Sequence, residues 1–219
     1  MQTRLFCALF DEFKSDLNAL KWPGEGSFEV VIGAILVQNT TWKNVEKALE
    51  NLRKIDAINL DSIANMQINE LALMIKPSGF YNTKAKRLSG LAKAIKKEFY
   101  DFENFKQNVS REWLLSIKGV GAETCDAILC YACDRDEMVV DAYAIRILRV
   151  FGYEFEGYDE AKEWLSCLDF DKIKTKYLLD DNAHVFKIFH ATIMAFAKKY
   201  SKGKMINESG NRLLLALCD

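Results

Sequence analysis
Apolar residues recur along most of this chain every three or four positions, the spacing that gathers them on one face of an α-helix. Phe6, Leu9, Phe10, Phe13 and Leu17 line one such face. Ser27 is placed to cap a wholly apolar helix from Phe28 to Val37, which reads as the central one. Val45, Ala48, Leu49 and Leu52 mark an amphipathic helix. Ala85, Leu88, Ala92, Ile95 and Phe99 mark another, with lysines assigned to its outer face. Ser110 is placed to cap Arg111 to Ile117. Ala142 to Phe151, Ala161 to Leu168 and Ala183 to Tyr200 complete the set. No two-residue alternation is sustained, so the pattern predicts an all-α fold. Pro77-Ser78-Gly79 is a loop signal, and there is no internal repeat.

The order of these elements suggests two helical lobes. One covers residues 22–133 and ends in a helical hairpin over 111–132; the other pairs 1–21 with 134–219. A cleft between lobes is a usual place for a site. With 219 residues, half of them hydrophobic, the chain can bury a substantial core. Its formal net charge of -1 means that any nucleic-acid contact must come from a local patch or from backbone N–H groups. The longest apolar run, Val30 to Val37, is far short of the ~20 residues that span a bilayer. With no charged-then-apolar leader, the expectation is a soluble cytoplasmic protein without membrane contact.

Cys125, Cys130 and Cys133 are spaced C-x4-C-x2-C, which is part of an iron–sulfur pattern. They also fall on one predicted helix among Ala127, Ile128, Leu129 and Tyr131. A buried thiol packs as a small hydrophobe, and packing is the preferred reading.

The chemistry-bearing feature is Ile117-Lys118-Gly119-Val120-Gly121-Ala122-Glu123-Thr124, a Gly-Val-Gly turn between two helices. Gly119 and Gly121 permit positive φ and close backbone approach. The helix that follows opens with unpaired N–H groups and a positive dipole end, which suit a phosphate. Lys118 can add a charge. A plain tight turn between helices would look the same from Gly-x-Gly alone. Asp141, in Val140-Asp141-Ala142-Tyr143-Ala144-Ile145-Arg146, is placed to do chemistry or to cap the following helix.

These two segments resemble the helix-hairpin-helix motif and catalytic-aspartate segment of the helix-hairpin-helix DNA glycosylases. Three further segments fit in the same order. Leu36-Val37-Gln38-Asn39-Thr40 resembles the family's Gln-bearing loop, and Gly79-Phe80-Tyr81-Asn82-Thr83-Lys84-Ala85 its Gly-aromatic-Tyr-Asn-x-Lys-Ala segment. Phe189-His190-Ala191 lies where family members carry a similar histidine. The branch most resembled is the endonuclease III-like one, nearest to its 3-methyladenine DNA glycosylases. The resemblance implies a two-lobed glycosylase fold with its site in the cleft, and double-stranded DNA containing a damaged base as partner, with no obligate protein partner. Asp141 would stabilise the positive charge that develops on the sugar and orient water. Gly119, Val120, Gly121 and Lys118 would hold the backbone. The base must be flipped out; Phe80 would be the wedge, unless it is core packing, and Gln38 the filler of the vacated stack. Carbonyls of Leu115, Ile117 and Val120 would hold a monovalent cation, with no metal on side chains.

Two departures bear on the reaction. Lyase members carry a lysine where this chain has Glu123, and a carboxylate cannot form an imine. A monofunctional glycosylase is implied, with Glu123 either bonding to base or water or standing as a solvated helix residue. Many endonuclease III-like proteins also hold a [4Fe–4S] cluster on four C-terminal cysteines. Here the first falls near Ser201 and the remaining tail offers Cys218 alone, so no cluster and no other cofactor is expected. Trp22-Pro23 and Trp42 flank the central helix and are candidates for a pocket around an electron-poor alkylated purine, although both indoles could serve the core. Lys204 is either a neighbour of the acid groups or one of several surface lysines. A glycosylase for uracil, thymine mismatches or oxidised pyrimidines, and a DNA-binding module without catalysis, are the alternatives.

Overall fold
The computed structural model describes residues 1–16 and 21–217. Leu17 and Cys218, used above, lie outside the described residues. The described chain is helical apart from one short hairpin, Ser201–Lys202 paired antiparallel with Met205–Ile206. That hairpin was not foreseen, because two residues a side are too few for an alternation to be read.

The chain divides into two compact units, Trp22–Asp134 and Met1–Lys21 with Arg135–Asp219. In the first, helix Phe28–Leu36 is the core: every residue except Glu29 is buried. It packs against helices Ala122–Cys133 and Tyr81–Phe99. Ser27 accepts from Glu29 N–H and starts it as predicted, and it ends one residue short of Val37. Cys125, Cys130 and Cys133 are all buried within Ala122–Cys133, in line with packing. In the second unit, helix Asn182–Tyr200 lies against helices Gln2–Phe13 and Ala142–Val150.

Among the described residues, five short α-helices escaped the sequence reading: Leu60–Asn65, Ile68–Met74, Phe102–Asn108, Phe170–Tyr177 and Glu208–Leu215. Each is at most about two turns long, so its apolar face repeats too few times to register. Four of the five carry a side-chain cap. Asn59, Asp101, Asp169 and Asn207 each accept a backbone N–H three residues ahead, satisfying an otherwise orphaned donor. The predicted helix Ala161 to Leu168 runs instead over Tyr158–Ser166, and Ala142 to Phe151 ends at Val150.

Candidate functional site
In the unit Trp22–Asp134, Ser110 starts the first hairpin helix, Arg111–Ser116, by accepting from Trp113 N–H at 3.1 Å. The turn follows through Ile117, Lys118 and Gly119. Val120 N–H returns to Ile117 O at 3.0 Å, which commits one of the two lone pairs on that carbonyl. Gly119 has φ +94°, a conformation closed to ordinary side chains, and a Cβ there would overlap the Arg87 side chain. Gly121 does not use the positive φ open to it. Its φ of -94° is open to any residue, and what its missing side chain leaves is clear space in front of helix Ala122–Cys133. That helix has no side-chain cap, so its first N–H groups face outward. Lys118 and Glu123 are exposed beside it, and Val120 is buried as the turn's anchor. Underneath, Arg111 Nε bonds to Asp126 Oδ1 at 2.8 Å and ties the two hairpin helices together, with Asp126 fully buried.

Gln38 is held against this turn. Its Nε2 donates to Gly119 O and to Thr124 Oγ1, both at 3.0 Å, and its Oε1 accepts from Arg87 Nη1 at 3.0 Å. Phe80 is 73% exposed, which removes the core-packing alternative. Gly79 and Phe80 adopt φ of +70° and +46° in succession. For a bulky residue such a conformation is strained, and it turns the phenyl ring outward. The lysines after Ala85 lie outward as expected, but Lys84, just before that span, is 2% exposed, and its ammonium donates to Leu36 O and Ser78 O, both at 2.7 Å. Burial, with the neighbouring Arg87 charge second, pushes its pKa below the usual lysine value.

Trp22 and Trp42 meet edge to face with ring centroids 5.4 Å apart, and Trp22 also lies 4.9 Å from the Tyr131 ring. Gly33 of the central helix forms the floor. A methyl group there would come 3.3 Å from Trp42 Cη2 and 3.5 Å from Trp22 Nε1. Both indoles are half-buried rather than core, and Pro23 is exposed beside them.

In the other unit, Asp141 caps helix Ala142–Val150. Its Oδ1 accepts from Tyr143 N–H at 2.9 Å and Ala144 N–H at 2.8 Å. Its Oδ2 lies 3.6 Å from Nε2 of buried His190. Burial raises the Asp141 pKa, but His190 and the two amides outweigh it and hold the carboxyl below the usual range. Capping and chemistry are therefore compatible readings of one carboxylate. Lys204 is exposed in the turn of the short hairpin and is not among the partners of Asp141.

Arg87, Lys84, Thr124, Tyr131 and Gly33 were not foreseen as site residues. Lys84 had a visible signal, since it stands four residues before Leu88 on the apolar face of its helix. Arg87 and Thr124 had none, because their role depends on loops far away in sequence.

Residues 32–178 match the model of the HhH-GPD superfamily base excision DNA repair proteins, and the chain belongs to that superfamily. It is a base excision repair DNA glycosylase of the HhH-GPD fold. A Methanocaldococcus jannaschii protein provisionally named a DNA repair glycosylase is 42% identical over 84% of this chain and 83% of its own length. The structure of H. pylori 3-methyladenine DNA glycosylase bound to 1,N6-ethenoadenine superposes with a TM-score of 0.84. It is 40% identical and covers 92% of this chain and 99% of that one. Endonuclease III of Sulfolobus acidocaldarius is 27% identical over 74% of this chain and 71% of its own. No helix among the described residues is long and apolar enough to cross a membrane.

Proposed function
We infer that this protein is a monofunctional glycosylase that hydrolyses the N-glycosidic bond of alkylated purines, 3-methyladenine above all, in double-stranded cytoplasmic DNA. The observation that carries the reading is the aromatic cup of Trp22 and Trp42 over Gly33. A purine methylated at N3 or N7 carries positive charge and leaves easily, so its site needs electron-rich faces more than acids. The likeness to the H. pylori enzyme, which holds a modified adenine, supports the same class of base here.

The duplex backbone would be gripped by the N–H groups at Gly121 and Ala122, with Lys118 adding charge. Phe80 would enter the stack and Gln38 would stand in for the extruded nucleotide. As the glycosidic bond lengthens, positive charge grows on the sugar. Asp141, kept ionised by His190 and two amides, stabilises it and orients water for attack. Glu123, exposed at the start of the second hairpin helix, cannot form the imine that strand cleavage through a Schiff base requires. Ser201 does not fit as the first ligand of a [4Fe–4S] cluster: its hydroxyl stands where a thiolate would be needed.

The test is to incubate the protein with methylated DNA and with uracil-containing DNA and to identify the released base. Release of 3-methyladenine without uracil is expected. Uracil release alone, or release from neither, contradicts the proposal.

A further inference from the structure
We propose that Lys84 and Arg87 are positioning residues that lock the Gln38 loop, the Phe80 turn and the hairpin turn into one frame, so that wedge and backbone grip meet the duplex in fixed register. The proposal rests on the assignment of Phe80 and Gln38 to the DNA interface. The two cations are one turn apart on helix Tyr81–Phe99. The Lys84 ammonium bonds to Leu36 O and Ser78 O, each at 2.7 Å. Leu36 ends the central helix two residues before Gln38, and Ser78 lies two residues before Phe80. One buried cation therefore spans the roots of both loops.

Its bonding partners among the described residues are carbonyls, not carboxylates. A buried charge with neutral partners is costly, and an apolar side chain would fill the space at less cost. What the ammonium supplies is several donors at one point, enough to tie two loops. The Phe80 turn needs such restraint, because consecutive positive φ values persist only where the surroundings enforce them. Thr83 and Lys84 N–H groups add two bonds to Phe80 O, both at 3.0 Å.

Arg87 carries the frame to the hairpin. It bonds to Gln38 Oε1, while Gln38 Nε2 reaches Gly119 O and Thr124 Oγ1. The Arg87 side chain also fills the space against Gly119 that a Cβ would claim. The wedge loop, the filler loop and the phosphate-gripping turn are thus connected through two side chains of one helix.

The test uses a duplex with a tetrahydrofuran abasic analogue opposite 2-aminopurine, whose fluorescence reports entry of the wedge into the stack and needs no damaged base. Arg87→Met should lower the fluorescence change at saturating protein by half or more and weaken binding about tenfold, as loss of a charged hydrogen bond does. Far-UV circular dichroism should stay native. Arg87→Lys, which keeps the charge, should recover part of the amplitude. A residue that only stabilises the fold would leave the saturating amplitude intact, and that result for Arg87→Met overturns the proposal. Lys84→Met should show the same loss; if it fails to fold, the Arg87 pair carries the test. Wild-type protein that gives the signal but excises no base refutes the substrate reading and leaves the frame standing. Wild-type protein without the signal refutes the frame too.

Discussion

Replacing Gly33 with alanine distinguishes a base pocket from a hydrophobic core at the tryptophans. Gly33 lies inside helix Phe28–Leu36, where glycine costs ~1 kcal/mol relative to alanine. On backbone grounds the substitution stabilises. The new methyl would sit 3.3 Å from Trp42 Cη2, 3.5 Å from Trp22 Nε1 and 3.6 Å from Trp42 Cζ3. The indoles must give by a few tenths of an ångström, and overpacking of this kind costs ~1–3 kcal/mol where the neighbours are fixed. Half-buried rings can shift, so the two effects should nearly offset, leaving Tm within about 4 °C of wild type. Stacking on an aromatic contributes ~1–3 kcal/mol per base, and displacing the cup should forfeit about 1 kcal/mol of it. That corresponds to a fall of about fivefold in kcat/KM for 3-methyladenine release, with affinity for an abasic duplex unchanged. Unchanged kcat/KM would refute the pocket. A fall in Tm well beyond 10 °C would show instead that the tryptophans are core.

Asp141→Asn keeps a good N-cap and removes the charge, so excision should drop by about 10²-fold or more with a native circular dichroism spectrum. Because the folded pKa of Asp141 is depressed, its contribution to stability is present above the ordinary carboxylate value and is lost as pH falls through the lowered one; wild-type kcat/KM should accordingly show no acid limb between pH 5 and 7. Gly119→Ala meets both a forbidden φ and the Arg87 side chain, which should cost ~1–3 kcal/mol of local strain and weaken duplex binding by about tenfold in fluorescence anisotropy. Asp126→Ala removes the buried carboxylate that bonds Arg111 Nε across the hairpin helices and should destabilise by ~3 kcal/mol, seen as a fall in Tm of roughly 6–12 °C.

Much of the fold could be read from periodicity, because the long helices repeat their apolar face several times. Helix starts followed where a capping residue preceded a long apolar repeat, as at Ser27, Ser110 and Asp141. The short helices were missed because a single turn or two carries no period. Among site residues, those on a local motif were legible: the Gly-Val-Gly turn, Asp141 and the exposed Phe80. For Gly121, sequence states that a glycine permits positive φ but not whether it uses it. Lys84 was given no buried role, because charge is ordinarily a sign of exposure. Its neutral partners, Leu36 O and Ser78 O, are backbone atoms, which side-chain patterns do not report. Arg87 was missed for a related reason: its partner Gln38 is 49 positions away.

The claim that the protein removes a base and leaves the strand uncut rests on Glu123. A 5′-labelled duplex with one 3-methyladenine tests it, with the products resolved before and after hot alkali and a parallel sample treated with borohydride. The account predicts a full-length strand that breaks only after alkali, and no borohydride-trapped protein–DNA adduct. A strand cut before alkali, or a trapped adduct, would contradict it.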